Sequence, residues 1–319
     1  MVLLLDLGLI VLGAVLLLYG ADWFLDGVRD LSRVLGLSTL VLGVILVGLE
    51  PEEMLTAALA SGRGLPALAI NNVIGTNVTI ITCALGLSAM LAPIILPKSI
   101  RRLALLATLV SLIPIALLFT GFVNRLEGAL LLTLFAVYTF FLLRMDRNVL
   151  KHTLEDDDND DDKKTPNPKP GHTWRLVGLT LLGLVVMSGG GYLLVEGAQR
   201  FVSTTGLGAG IVGGTIVSLA AASEMIVLGI TAARKGQSEV LVGGILGSFA
   251  YNLLVTLGLA AVVNPLPVDF HQTLIPLIFM LVSHLALLAL IWRGRFGRVA
   301  GSVFVLGYVT YLALVFIVR

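Results

Sequence analysis

The sequence predicts an all-α integral membrane protein of ten transmembrane helices, arranged as two inverted five-helix repeats. Three observations predict it: the composition, a series of long apolar stretches, and a residue pattern that recurs further along the chain. Of the 319 residues 57% are hydrophobic and 13% charged, and the mean hydropathy is +0.99. A soluble domain has about a quarter of its residues charged. The net charge of +1 and the single cysteine, Cys83, indicate neither nucleic-acid binding nor a thiolate metal site.

A helix needs about 20 apolar residues to cross the bilayer core, and ten stretches of the chain meet that requirement. In order, we predict spans at 3–21, 36–60, 66–92, 100–122, 126–144, 174–199, 207–233, 238–263, 271–292 and 298–318. The first stretch is predicted to be a span rather than a signal peptide, because no Lys or Arg precedes it.

The connections between these spans differ in basic charge. Those on one side carry 17 of the 21 Lys and Arg residues, and those on the other side carry four. Because cytoplasmic loops are enriched in Lys and Arg, the rich side is expected to be cytoplasmic. An even number of spans then places both termini outside, in a plasma (inner) membrane.

An acidic segment separates the two halves of the chain. Seven of the eight residues from Glu155 to Asp162 are acidic, and a Pro- and Lys-rich stretch follows. Such a composition buries too little apolar surface to fold alone. We therefore predict a first repeat at 1–144, a disordered cytoplasmic linker at 145–173 and a second repeat at 174–319.

The two halves share a sequence pattern. Glu52 and Gly75 of the first half are matched by Glu224 and Gly247 of the second, at the same separation. We call the common difference in residue number, from Glu52 to Glu224, the repeat shift. An odd number of spans per half turns the second copy over in the membrane, and inverted repeats of this kind are typical of secondary transporters that alternate access to a central site.

Three acids lie near the middle of the second predicted span. They are Glu50, Glu52 and Glu53, and Pro51 stands among them. Acids at bilayer depth are costly and indicate function. Because Pro51 cannot donate to the preceding turn, the helix is expected to break and restart there. Carboxylates together with freed backbone carbonyls would form an oxygen cage suited to a hard cation.

The seventh predicted span carries the matching acid. Glu224 is the only acid in that span, and Ser223 before it is expected to cap a restarted helix. If Glu52 and Glu224 meet across the pseudo-two-fold axis, two negative charges match one divalent ion.

The third and eighth predicted spans carry further oxygen ligands. Asn72 and Thr76 are one helical turn apart on one face, as are Ser248 and Asn252. Thr76 and Ser248 lie at the same distance from the two glutamates and are favoured as site residues. Together these side chains could complete the six to eight oxygens that calcium prefers.

On these motifs the chain resembles the sodium/calcium exchanger family of the cation/calcium antiporter superfamily. The matching motifs are Pro51-Glu52, Gly75-Thr76-Asn77, Ser223-Glu224 and Gly247-Ser248. The resemblance implies the ten-span fold, no cofactor, calcium binding by the repeat glutamates, and sodium binding by nearby hydroxyl and carbonyl oxygens.

The chain also departs from the family pattern. The Thr-Ser pair that precedes the family motif is replaced by Gly48-Leu49 in one repeat and Ala220-Ala221 in the other. The spacing from glutamate to glycine is one residue longer than the family's. The position of the family's glutamate therefore falls either on Glu52 and Glu224 or on Glu53 and Met225.

Three functions follow as expectations. The first is exchange of calcium for sodium, with inorganic cations as substrates and the lipid bilayer as surroundings; protons could replace sodium as the coupling ion. The second is a passive cation channel, although the sequence shows no filter motif. The third is a membrane-embedded enzyme or a non-transporting scaffold, which is disfavoured because no catalytic constellation accompanies the acids.

Overall fold

A computed structural model describes most of the chain. The described residues are 2–35, 41, 44–45, 48, 50–96, 98, 100–157, 170–202, 211 and 213–317. Parts of the second and seventh predicted spans and of the acidic linker lie outside them.

Thirteen α-helices are assigned in the described residues. They are α1 (Val2–Leu35), α2 (Pro51–Gly62), α3 (Pro66–Thr79), α4 (Leu85–Leu91), α5 (Ile100–Phe119), α6 (Arg125–Asp157), α7 (Pro170–Val202), α8 (Ser218–Ala221), α9 (Ser223–Arg234), α10 (Ser238–Tyr251), α11 (Leu257–Val263), α12 (Phe270–Arg293) and α13 (Arg298–Ile317). Turns of π-helix at Ile80–Ala84 and Asn252–Thr256 join α3 to α4 and α10 to α11, and a third at Gly213–Val217 precedes α8.

Two short antiparallel ribbons tie the repeats together. β1 (Ile94–Ile95) pairs with β4 (Arg295–Phe296), and β2 (Phe122–Val123) pairs with β3 (Leu266–Pro267). Each ribbon takes one strand from each half of the chain. Both strands of the first repeat are therefore paired with a strand of the second repeat.

The helix bounds follow the repeat shift. α2 begins at Pro51 and ends at Gly62, and the repeat shift converts these bounds into Ser223 and Arg234, the bounds of α9. α3 and α10 are related in the same way, as are the π-turns after them and then α4 and α11. The sequence repeat is therefore a structural repeat.

The innermost helices are those that carry the predicted polar ligands. Six helices of the described residues are long and apolar enough to cross a membrane, and the pair Gly213–Ala221 and Ser223–Arg234, bent by 45°, makes a seventh. The most apolar window of Pro66–Leu91 is 89% buried and that of Ser238–Val263 is 100% buried. The windows of the other four are 22 to 39% buried. The third and eighth spans thus form the core.

Helices α1 and α7 pack against each other in antiparallel fashion. Gly20 faces Met187, Phe24 faces Gly183 and Gly27 faces Thr180. A Cβ atom on Gly20 would lie 2.5 Å from the backbone nitrogen of Met187. Small residues allow this close approach, which is how helices associate within a membrane.

Three helices extend several residues beyond the predicted spans. α1 continues from the predicted end at 21 to Leu35, because Phe24, Leu25 and Val28 give its last turns a buried face. α6 continues from 144 to Asp157, and α7 begins at Pro170. The helical backbone thus enters both ends of the segment predicted as a linker, and 158–169 lie outside the described residues.

The extension of α1 places two acids beside a lysine. Lys235, which follows α9, lies 3.0 Å from the carboxylate of Asp22 and 2.9 Å from that of Asp26. Partial burial lowers the pKa of Lys235, but hydrogen bonds and charge from Asp26 and Asp22 outweigh burial and raise it above its ordinary value. The ion pair therefore keeps the lysine charged and links α1 to the end of α9.

Candidate functional site

The second span breaks where the sequence predicts. Glu50 has φ −115° and ψ 78°, outside helical geometry, and it is the N-cap of α2 with Pro51 in the first turn. Its carbonyl oxygen accepts the backbone N–H groups of Glu53, at 3.1 Å, and of Met54, at 3.3 Å. Proline disfavours helical geometry in the residue before it and lacks an N–H group, so the break follows from Pro51.

Glu53 is held within its own repeat. The hydroxyl of Thr76 donates to Oε1 of Glu53 at 2.7 Å, and the side-chain amide of Asn72 donates to Oε2. All three side chains are buried, with no more than 1% of each residue exposed. The spacing of Asn72 and Thr76 on one face of α3 therefore brings both donors to Glu53, and their predicted part in binding a cation stays a prediction.

Glu50 reaches into the other repeat. The hydroxyl of Ser248 donates to Oε1 of Glu50 at 2.9 Å, and the side-chain amide of Asn252 donates to Oε2 at 2.8 Å. Ser248 and Asn252 come from the central span of the second repeat. A carboxylate of one repeat is thus bound by two donors of the other.

Two further polar residues complete a network that spans the repeats. Asn252 also donates to Oδ1 of Asn77 at 3.4 Å, and its own Oδ1 accepts from the hydroxyl of Thr256 at 3.3 Å. Asn77 is next to Thr76 in the chain, so the contacts of Glu50 and those of Glu53 involve neighbouring residues of the third span. Neither Asn77 nor Thr256 was predicted as a site residue. The helical spacing of Asn252 and Thr256 on one face is the signal that could have found the latter.

Two buried oxygen atoms of the site remain available as ligands. Within the described residues, Oδ1 of Asn72 and Oγ of Ser223 have no hydrogen-bond partner. A buried polar atom without a partner is costly and calls for an explanation. An amide oxygen whose own nitrogen already donates to Glu53 has only lone pairs to offer, which suits a bound cation.

The break in the seventh span has a different geometry. Ala222 keeps helical φ and ψ of −67° and −5°, and its N–H donates to the carbonyl of Ser218 at 2.9 Å. Ser223 is the first residue of α9 and not its cap, so the predicted capping role of Ser223 is wrong. The reason is that the chain bends while Ala222, the residue before Ser223, keeps helical φ and ψ and is itself the N-cap of α9.

The two acids predicted as counterparts lie in the first turns of equivalent helices. Glu224 is the second residue of α9 and is 2% exposed. Glu52 lies in α2, but its side chain is outside the described part of the chain. The predicted meeting of Glu52 with Glu224 therefore stays a prediction.

Close approaches of glycines correct the alignment of the two breaks. Gly75 faces the backbone of Gly214, and its counterpart Gly247 faces the backbone of Val44 in the same way. Val44 and Gly214 are therefore counterparts, although the repeat shift pairs Val44 with Ile216. The second repeat thus has two more residues at its break than the first.

This correction changes what stands opposite Gly48. The two additional residues lie between Gly214 and Ser223, so the repeat shift no longer fixes Ala220 as its counterpart. Ser218 is fully buried, and its hydroxyl donates to the carbonyl of Thr215 at 3.0 Å. The second repeat thus keeps one hydroxyl before its break, whereas the first repeat has a glycine whose Cβ would meet Gly247.

A cation bound here would need mixed ligands. In the part of the chain that the structure describes, no three Asp, Glu, His or Cys side chains gather into a metal-binding group. Hydroxyl, amide and backbone oxygens would therefore accompany one or two carboxylates, which is the ligand set of hard cations.

The comparisons with known proteins agree with this architecture. The family model described as sodium/calcium exchanger protein matches residues 5–144 and 175–317. These two ranges are the two repeats, and the gap between them contains the acidic segment. The family match therefore covers nearly the whole chain.

Individual relatives and solved structures match over the same length. CaxA of Alkalimonas amylolytica, which carries the name of an antiporter, is 28% identical over 96% of this chain and 97% of its own. The sodium/calcium exchanger MaX1 of Methanosarcina acetivorans is 23% identical over 97% of both chains. A structure of the sodium-calcium exchanger NCX_Mj, soaked with 10 mM Na⁺ and zero Ca²⁺, matches with a TM-score of 0.79 and 25% identity over 98% of this chain and 99% of that one. The chain therefore belongs to the sodium/calcium exchanger family of membrane cation antiporters.

Proposed function

We propose that this antiporter exchanges calcium for sodium by alternating access around the buried network of Glu50 and Glu53. The observation that carries the proposal is that one broken helix presents two buried carboxylates, each bound through both oxygens, at the interface of two inverted repeats. Inverted repeats with broken helices at their interface are the usual construction of ion sites in secondary transporters.

The ligand chemistry supports calcium as the substrate. Calcium prefers six to eight oxygen ligands, including carboxylates, hydroxyls and carbonyls. Glu53, Thr76 and Oδ1 of Asn72 lie together in the first repeat. Glu224, buried in the first turn of α9, and Ser223 beside it are the proposed contribution of the second repeat, and Glu52 is proposed as the counterpart of Glu224.

The contacts of Glu50 suggest how binding is coupled to movement. Its carboxylate accepts from Ser248 and Asn252 of the opposite repeat. A cation that took these oxygens as ligands would compete with the two donors. Ion binding would then weaken one set of contacts between the repeats. The ion would therefore bind with different affinity to two relative arrangements of the repeats, and its binding would shift the populations of those arrangements.

The relatives support the choice of ions. MaX1 is named a sodium/calcium exchanger, and so is NCX_Mj, whose structures were obtained with Na⁺, Ca²⁺ or Sr²⁺ in the soak. For this chain we propose the same ion pair. We also propose an inner-membrane location with both termini outside and 145–173 as a cytoplasmic linker, from the distribution of Lys and Arg.

Proteoliposomes with both ion gradients under control test the proposal. Sodium-loaded vesicles diluted into sodium-free buffer with ⁴⁵Ca²⁺, at one pH on both sides, are expected to accumulate calcium. Uptake driven only by a pH gradient in sodium-free buffer would replace sodium by protons as the coupling ion. Calcium flux that ignores both gradients and follows only its own would indicate a passive channel and overturn the proposal.

A further inference from the structure

A cavity opens between α12 and α13, away from the network of Glu50 and Glu53. Its volume is about 1120 Å³, slightly above the ~300–1,000 Å³ of common small-molecule pockets. It lies at the end of the molecule that carries the β1–β4 ribbon, and its lining is apolar apart from Arg293 and Arg295. The cavity therefore has a long apolar wall and one cationic end.

Small side chains create the apolar part. Ala286 and Ala289 of α12 face Ala300 of α13 across the cavity. Phe296 closes one side, because it is 1% exposed and packs edge-on against Phe304 with ring centroids 5.1 Å apart. The result is a groove between two membrane helices that lacks side chains long enough to fill it.

The ribbon places one of the two arginines. Arg295 pairs with Ile95 and Phe296 pairs with Ile94. Because successive residues of a strand point to opposite faces, burial of Phe296 directs Arg295 outward. Ile95 beside it is 74% exposed. The ribbon thus presents a cation next to an apolar surface at the mouth of the groove.

Neither arginine serves an evident structural purpose. In the described ranges the side chains of Arg293 and Arg295 have no hydrogen bond and no ion pair. The carbonyl of Trp292 at the end of α12 is satisfied instead by Arg101, at 2.6 Å. Two adjacent cations therefore face the groove uncompensated.

The other repeat shows that the fold does not require them. Gly121 and Gly294 end equivalent helices with φ of 85° and 78°. Thr120 stands before Gly121 where Arg293 stands before Gly294, and Phe122 opens β2 where Arg295 opens β4. These two positions of the first repeat thus have the same backbone and carry no positive charge.

We propose that this groove binds an anionic phospholipid, with its phosphate between Arg293 and Arg295 and one acyl chain along α12 and α13. Basic pockets between transmembrane helices bind lipid head groups, and arginine forms paired hydrogen bonds with phosphate. The apolar wall matches an acyl chain, which a free phosphate ion lacks. The proposal does not depend on which ions the antiporter exchanges.

Native mass spectrometry of the full-length protein tests it. Protein in detergent is titrated with phosphatidylglycerol or with phosphatidylcholine of the same chains. We expect preferential retention of phosphatidylglycerol, reduced roughly thirtyfold in R293Q/R295Q, which corresponds to about 1 kcal/mol per arginine. The matched control K98Q/R234Q removes two positive charges outside the groove and is expected to retain the lipid.

A second variant tests the acyl-chain part separately. A289W fills the groove and leaves both arginines, and it is expected to lose phosphatidylglycerol while eluting as the wild type on size exclusion. Equal retention by R293Q/R295Q and the wild type, equal loss in the control, unchanged retention by A289W, or equal binding of phosphatidylcholine would each overturn the proposal. Should R293Q/R295Q fail to fold, A289W and the comparison of the two lipids decide.

Discussion

The two helix breaks at the centre of the molecule occupy equivalent places but are built differently. In the first repeat Pro51 forces Glu50 out of helical geometry, whereas in the second Ala222 stays helical and the chain bends by 45°. The first break carries Glu50 and Glu53, and the repeat shift places Ala222 and Met225 opposite them. The helices on either side are repeated, but the geometry and the charge of the break are not.

This difference suggests that the two repeats contribute different groups to the site. The first repeat supplies the two hydrogen-bonded carboxylates, Glu50 and Glu53, and the second supplies Ser248 and Asn252 as donors to Glu50. The sequence symmetry is retained at one acid per break, because the repeat shift relates Glu52 to Glu224. A duplicated fold can thus keep the symmetric movement that alternating access needs while its binding site becomes asymmetric.

The largest expected effect concerns the acids that the repeats share. Replacing Glu52 or Glu224 by Gln keeps the size and removes the charge, and each variant is expected to lose nearly all sodium-driven calcium uptake in proteoliposomes. The physical reason is that a divalent ion in a buried site needs carboxylate charge to replace its hydration. Normal exchange by both variants would show that these two acids are not the site.

The next effect separates the two breaks directly. Glu53→Gln is expected to lower calcium uptake by about tenfold to a hundredfold, since a hydrogen bond to a charged group contributes about 1.5–3 kcal/mol. The counterpart substitution Met225→Leu is expected to change uptake less than about twofold, because volume-conserving swaps are well tolerated. Equal losses in the two variants would contradict the asymmetry.

A double-mutant cycle measures the contact between the repeats. Glu50→Gln removes the charge of the acceptor, and Ser248→Ala removes the donor, of the hydrogen bond at 2.9 Å. Their effects on calcium affinity are expected to be non-additive by about 0.5–3 kcal/mol. Glu50→Gln combined with Thr133→Ala, on the exposed side of α6, serves as the control and is expected to be additive.

A smaller effect is expected on stability alone. Ser223→Pro would disfavour the helical geometry of Ala222, which has ψ −5°, and should lower the midpoint of thermal unfolding by several degrees. Pro51→Ser makes the reverse exchange and is expected to cost less, because serine adopts the geometry of a first helical turn. Thermal unfolding in detergent compares the two. If Pro51→Ser lowers the midpoint more than Ser223→Pro does, the expectation is wrong, and removing proline from the first break is more harmful than adding proline to the second.

The smallest effect concerns the segment between the repeats. Deleting Glu155–Asp162 is expected to leave the rate of sodium-driven calcium uptake unchanged, because the repeats meet through the network and the two ribbons. Uptake per inserted molecule is the measurement. Complete loss of transport in a correctly inserted variant would show that the segment holds the repeats in place.

Much of the architecture could be predicted because its signals are local or periodic. The break at Pro51 follows from the chemistry of proline, and the repeat follows from a shift that the helix bounds share. The polar faces of Asn72 with Thr76 and of Ser248 with Asn252 follow from helical spacing. The prediction that Ser223 caps a helix was wrong. A serine before an acid acts as a cap only where the chain leaves helical geometry, and Ala222, the residue before Ser223, stays helical.

What the sequence by itself determined is the membrane class, the inverted repeat and the set of polar residues at bilayer depth, because hydropathy and spacing act along the chain. Only the tertiary structure decided which acid meets which donor: Glu53 binds within its repeat and Glu50 binds across to Ser248 and Asn252. It also decided that the second break has two more residues, through the approach of Gly75 to Gly214 and of Gly247 to Val44. The reason is that partners in opposite halves of the chain are set by how helices pack in three dimensions, where small residues let backbones touch, and no periodicity within one helix records that choice.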